Sequence, residues 1–295
     1  MDPFIKKIQQ INTVEDAIEQ LKQEVKVGKK LQSIIDFVIQ AHKNQFRKSG
    51  EPYCVHPILV ACITAHFSKD KAIIATSLLH DVVEDTEYSI DFIKNTWGSD
   101  ISHMVDGLTK IVEIREDKFP SSSSKNNKKL ISSALTFRKM LVASIDDVRV
   151  LIVKLCDRLH NMLTLQALPP EKQKRIAEET LLVYVPIASR LGISTLKNAL
   201  EDLAFYYIYP EEYNKIDRFL KENEHAMRLT FNSFITKTKT LLEKNGYDSN
   251  KVKIYSRIKH HYSIYLKMQR KGINIDEVLD LFAIRILVED KIDCY

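Results

Sequence analysis

The chain has 295 residues with 7 glycines and 8 prolines; 44% are apolar, 28% charged, and the formal net charge is +5. So few turn-forming residues exclude a many-stranded sandwich or barrel, and the apolar fraction excludes disordered and collagen-like classes. The length points to about two domains, and the mildly basic balance suits an anionic small molecule as well as a nucleic acid.

In chain order, a polar, weakly amphipathic stretch over 5–26 predicts one peripheral helix. Leu31, Ile34, Ile35, Val38, Ala41 and Phe46 follow helical spacing over 30–46. After the break at Ser49-Gly50-Glu51-Pro52 come helices over 57–67, 70–83, 89–96 with Ser89 as N-cap, and about 99–107. The polar, Ser-rich run 113–129 predicts a mobile loop that gates a pocket. Helices resume over 130–144, 147–163, 171–190, 195–208 and 210–245, the last as one helix or two in line. Beyond Gly246, Val252–Ile258 alternates like a strand, 260–270 reads as a helix and Phe282–Val288 as a buried strand. This would be the beginning of a βαβ-like unit. A sheet needs more partners, so a fragment of a longer chain is expected.

Cys54, Cys62, Cys156 and Cys294 form no C-x-x-C pair and no metal spacing. They read as reduced thiols of a cytoplasmic protein. The first residues lack a basic segment followed by an apolar one, so no signal peptide is expected. No uncharged run approaches the roughly 18 residues of a membrane span.

The segment Leu78-Leu79-His80-Asp81-Val82-Val83-Glu84-Asp85-Thr86 carries the strongest chemical signal. Polar groups beside an apolar helix face are costly unless something pairs with them. Helical spacing stacks His80 over Glu84 and Asp81 over Asp85. His56 stands just before Pro57, where a helix would start and fix the ring's direction. Asp157 sits in the middle of an otherwise apolar helix and needs a charge partner. Together His56, His80, Asp81 and Asp157 make a two-His, two-carboxylate set with positions left for water and substrate. Nitrogen and oxygen ligands suit Mn, Fe, Co or Zn.

The blocks RKSGEPYCVHP, SLLHDVVEDT, VDGLTKI, FRKM, LIVKLCDRLHNM, PIASRLGI and KHHYSIYLKM…DLFAIRILV, in this order, closely resemble the N-terminal half of the Rel/SpoT family of bifunctional alarmone hydrolase-synthetases. The resemblance implies a mainly α fold: an HD-superfamily hydrolase domain over 1–200, then a helical linker and the start of a truncated α/β synthetase domain over 201–295. It implies metal-dependent removal of the 3′-diphosphate from guanosine tetra- or pentaphosphate, giving GDP or GTP and pyrophosphate. By position, His56, His80, Asp81 and Asp157 match the family's metal ligands, usually for Mn2+. Glu84 and Asp85 match the pair that orients or deprotonates the attacking water. Arg47, Lys48, Ser49, Asn161 and Thr164 match nucleotide-holding positions, with Arg47 suited to stack on guanine and Asn161 to bond a base edge.

In the synthetase part, Arg257, Lys259, His260 and Tyr262 lie in a segment resembling the ATP-contacting one. Asp280 matches a Mg2+-binding aspartate. That half is expected to be incomplete and inactive. Ribosome or regulator contacts would fall to further C-terminal domains of the full-length protein. The sequence departs from the family at Leu163, where arginine is common, and at Ala134-Leu135-Thr136, where Ala-Glu-Asn is usual. His160 reads as a packed histidine behind the ligands, and His42, His66 and His103 as incidental. The alternatives are another HD-type nucleotide phosphohydrolase and a non-catalytic regulatory domain. Direct nucleic-acid binding is not expected, since the basic residues do not interleave with aromatics.

Overall fold

The computed structural model describes residues 2–113, 134–138, 140–142, 146–247, 252–289 and 291–294. Most of the sequence-predicted loop, at 114–129, lies outside the described residues. The chain forms two compact units, Met1–Tyr207 and Ile208–Tyr295.

The first unit is built on a helix that is apolar all round. α4, Val55–Phe67, buries every residue from Val55 to Ala65, the mark of a central element. α5, Lys71–Leu79, buries all of Ile73 to Leu79 and packs against it. Around this pair lie α2 (Val14–Glu24), α3 (Lys29–Ala41), α8 (Ser99–Glu113) and α9 (Arg149–Leu163). The 5–26 stretch is two helices rather than one. α1, Pro3–Gln10, ends at Ile11, and Thr13 starts α2 by accepting the Asp16 amide. Nor is it peripheral, because Ile5, Ile8, Ala17 and Leu21 are in the core.

The third helix ends at Ala41, short of the predicted 46. Phe46 instead pairs with Pro52 in an isolated β-bridge and is 67% exposed. The turn between them closes through Gly50 N–H bonded to the Arg47 carbonyl at 3.0 Å, with Gly50 at φ +99°. The predicted 70–83 helix also divides. α5 stops at Leu79, His80 and Asp81 form a turn, and a short α6 follows at Val82–Asp85. α7 (Ile90–Trp97) has the predicted Ser89 cap, which accepts the Phe92 amide at 3.3 Å.

Past Pro169, α10 (Pro170–Glu179) leads into a five-residue π-helix, Thr180–Tyr184, and then α11 (Val185–Arg190). Pro186 has no N–H to give the helical ladder, which explains a widened turn just before it. α12, Ser194–Ile208, ends the unit.

The second unit opens with α13, Pro210–Lys244, one helix of 35 residues in which only Ile216 is buried. β1 (Lys253–Ile258), α14 (His261–Lys271) and β2 (Phe282–Leu287) follow. The strands pair antiparallel, with Lys253 opposite Leu287 and Ile258 opposite Phe282. This replaces the expected βαβ-like unit, whose crossover joins parallel strands. The segment 259–281 leaves and returns at the same end of the ribbon, where the Lys259 amide bonds the Leu281 carbonyl at 2.9 Å. β2 is also not a buried strand. Ile286 and Leu287 are exposed, because a two-stranded ribbon covers little of either face.

Candidate metal and nucleotide site

Three segments far apart in sequence converge in the first unit. His56 lies in the first turn of α4 rather than ahead of it, since Val55 opens the helix. His80 and Asp81 form the break between α5 and α6, and α9 supplies Asp157. The break explains how adjacent residues reach one point. In an unbroken helix they would diverge by about 100°. His80 Nε2 is 3.1 Å from Asp81 Oδ1 and 3.7 Å from Asp157 Oδ1. His56 Nε2 is 3.3 Å from the same Asp157 oxygen and 3.5 Å from Asp81 Oδ2. Donor atoms of His56, His80 and Asp157 all lie within 4.8 Å of one another.

The donors suit a divalent cation. His80 Nδ1 is 2.8 Å from the Ser77 carbonyl, which can only accept, so the neutral ring keeps its proton on Nδ1 and offers the Nε2 lone pair to a cation. That Nε2 is buried and makes no hydrogen bond. A buried polar atom left in that state costs about 1–3 kcal/mol. Imidazole nitrogen with carboxylate oxygen is a donor set for first-row divalent ions.

Electrostatics is set by the same neighbours. Burial would lower the His80 pKa, but Asp81 and Asp157 outweigh it and raise it to about 9, so the carboxylates favour a positive charge at this point and a bound cation would take the place of the Nε2 proton. At His56 burial wins, helped by the Arg47 charge, and the value falls to about 4. Asp157 is held well below the carboxylate range despite its burial, chiefly by Lys154. Glu84 is exposed as a residue, but partial desolvation of its carboxyl beside the cluster outweighs the pull of Lys154 and moves it up to about 7.

Two residues of this cluster carried no role in the sequence reading. Lys154 Nζ lies 2.8 Å from Asp157 Oδ2, one helical turn earlier. The Tyr53 hydroxyl lies 2.8 Å from Asp81 Oδ2 and 2.6 Å from Asp85 Oδ2. Spacing of three from Asp157 and from His56 was the available signal. Of the expected i, i+4 pairs, Asp81 and Asp85 are joined by the Asp85 amide bonding the Asp81 carbonyl at 2.9 Å, while in the other pair His80 is buried and Glu84 exposed. His160 packs behind His56, with their Nδ1 atoms 2.8 Å apart.

Of the nucleotide candidates, Arg47 and Asn161 join the cluster. Arg47 Nη2 donates to Asn161 Oδ1 at 2.7 Å, and Asn161 Nδ2 donates to Asp157 Oδ1 at 2.5 Å. Lys48 and Ser49 are exposed on the turn, and the Ser49 hydroxyl donates to Glu51 at 2.8 Å. Thr164 caps the end of α9, with its hydroxyl 3.4 Å from the His160 carbonyl. Leu163 is buried in the core.

A model of the HD domain matches residues 35–194, which contain every residue of this cluster. The chain belongs to the HD domain family. That membership implies a divalent metal at the cluster. A second match, to a region found in RelA and SpoT proteins, covers 256–295, so the HD domain is followed by the sequence characteristic of Rel/SpoT proteins. A guanosine-3′,5′-bis(diphosphate) 3′-pyrophosphohydrolase of Aquifex aeolicus is 38% identical over 98% of this chain and 39% of its own length. A GTP pyrophosphokinase of Myxococcus xanthus is 42% identical over 87% of this chain and 32% of its own. The bifunctional (p)ppGpp synthase/hydrolase SpoT of Escherichia coli is 36% identical over 95% and 37%. The chain thus spans less than two fifths of the length of these relatives.

The RelA/SpoT region holds the other sequence candidates, all in the second unit. Arg257 is in β1, and His260 caps α14 with its Nε2 2.7 Å from the Ser263 hydroxyl. Tyr262 lies in the first turn of α14, its ring stacked with that of Tyr265 at 6.3 Å. Asp280 is ion-paired with both Lys259 and Lys267. No helix among the described residues is long and apolar enough to cross a membrane.

Proposed function

We propose that the HD domain, assigned to residues 1–200, hydrolyses the 3′-diphosphate of guanosine tetra- or pentaphosphate to GDP or GTP plus pyrophosphate, with Mn2+ as the working ion in a bacterial cytoplasm. The observation that carries the reading is the convergence of His56, His80, Asp81 and Asp157 on a buried His80 nitrogen that lacks a hydrogen bond. The named activities of the relatives supply the substrate class.

The bound ion would lower the pKa of water and polarise phosphoryl oxygens. The chain's own residues do the rest. Glu84, with its carboxyl near 7, takes a proton from water at neutral pH. Tyr53 orients Asp85 beside it. Arg47 offers a planar guanidinium to the guanine, and its bond to Asn161 ties nucleotide binding to the Asp157 carboxylate. Lys154 offsets part of the negative charge that Asp81, Glu84, Asp85 and Asp157 would present to a polyphosphate.

The test is release of pyrophosphate from guanosine tetraphosphate with added Mn2+, with chelator, and in Asp81→Ala. Turnover that depends on Mn2+ and disappears in the variant supports the reading. Turnover retained in the variant or in chelator overturns it.

A further inference from the structure

His56 and His80 approach the carboxylates through the same ring atom, Nε2, but are backed differently. Behind His80 stands the Ser77 carbonyl. A carbonyl can only accept, so that ring has one neutral tautomer. Behind His56 stands another imidazole. The two Nδ1 atoms are 2.8 Å apart, the rings are tilted by 53°, and both side chains are buried. Two ring nitrogens at that distance share one proton: one donates it and the other offers a lone pair. Either ring can take either part.

The choice decides what His56 presents to the cluster. If His160 donates, His56 carries its proton on Nε2 and spends it on Asp157 or Asp81, 3.3 and 3.5 Å away. If His160 accepts, the His56 proton is on Nδ1 and Nε2 is a free lone pair aimed at the same point as His80 Nε2. Only the second arrangement can ligate a cation, and ligating histidines ordinarily donate their other N–H to an acceptor behind them. Among the described residues no carbonyl is bonded to His56 Nδ1. The fold provides His160, one turn beyond Asp157 on α9, so the helix that brings in a carboxylate ligand also brings the acceptor.

We infer that His160 is a positioning residue: through its Nδ1 it holds His56 in the tautomer whose Nε2 lone pair faces Asp81 and Asp157. This rests on the metal site proposed above and adds a residue outside the ligand set. Loss of such an acceptor ordinarily weakens metal binding about 10- to 100-fold.

The experiment is Mn2+ titration of the full chain by calorimetry, alongside melting of the metal-free protein. His160→Phe keeps the ring volume and removes the acceptor; His160→Gln restores an acceptor oxygen. The inference expects Mn2+ affinity to fall about 10- to 100-fold in His160→Phe and to return to within a few-fold of the parent in His160→Gln. At saturating Mn2+ the nucleotide KM should be unchanged in both. Equal affinity in parent and His160→Phe overturns the inference, as does equal weakening in both variants. A parent that binds no Mn2+ overturns the metal site itself, a separate result. Should His160→Phe not fold, imidazole 15N spectra of the parent loaded with diamagnetic Zn2+ decide the matter. They should place the His56 proton on Nδ1, and a proton on Nε2 overturns the inference.

Discussion

The Tyr53 hydroxyl, in the segment between α3 and α4, lies 2.6 Å from Oδ2 of Asp85 at the end of α6. Its single proton is contested, because Asp81 Oδ2 is 2.8 Å away on the other side. Burial and the two carboxylates push the phenol's pKa above its ordinary value, so it stays a donor. Tyr53→Phe removes that donor and leaves the ring. A hydrogen bond to a charged group contributes about 1.5–3 kcal/mol. The expected result is a fall in kcat of about 10- to 100-fold, with Mn2+ affinity within a few-fold of the parent. Steady-state kinetics with metal titration checks it, and an unchanged kcat would remove Tyr53 from the site.

Glu84 gives the pH dependence its sign. Partial desolvation raises the carboxyl to about 7, and only the deprotonated form accepts a proton. Hydrolysis at saturating metal should therefore rise with pH through about 7 and level off above it. Glu84→Gln should lower kcat about 10²- to 10⁴-fold and abolish that rise. A rate profile of the variant that keeps the parent's midpoint would assign the titration elsewhere.

The ion pair of Arg158 with Glu179 joins α9 to α10 in the interior, with the guanidinium 3.8 Å over the Tyr184 ring of the π-helix. Arg158→Met leaves a carboxylate poorly compensated and should cost about 3–5 kcal/mol. The double variant Arg158→Met, Glu179→Leu removes both charges and should recover most of that loss. Thermal and denaturant melts of the three proteins check the order.

Gly50 holds the turn that presents Arg47, Lys48 and Ser49. Its φ of +99° is strained for any residue with a Cβ, although no neighbouring atom lies within 4 Å to clash. Gly50→Ala should cost about 1–3 kcal/mol through backbone strain alone. Because the turn carries Arg47, the nucleotide KM should rise while kcat at saturation changes little. An equal loss in both would tie the turn to the chemistry instead.

The helical core was legible because apolar spacing reports burial directly, as at Leu31, Ile34, Ile35 and Val38. The cluster was legible as residue types, since His and Asp in an apolar helix need partners. The turn at His80 and Asp81 was not, because Leu78 to Val83 contains nothing that forbids a continuous helix; tertiary convergence overrides local preference there. Lys154 and Tyr53 were missed because their roles arise only when α4, the turn and α9 meet. Strand direction in the second unit was hidden for a similar reason. It depends on the end of the ribbon to which residue 281 returns, and the strands' own pattern does not encode that.

The turn after α5 makes helix length a functional quantity. Asp70 fixes where α5 starts, accepting the Ala72 amide at 2.8 Å, and ten residues later the helix delivers His80. One residue added or removed between them would rotate His80 by about 100° while leaving every side chain of the cluster in the sequence. The motif would survive intact on paper and the cluster would not form. For this scaffold the count of residues from cap to turn is inherited together with their chemistry.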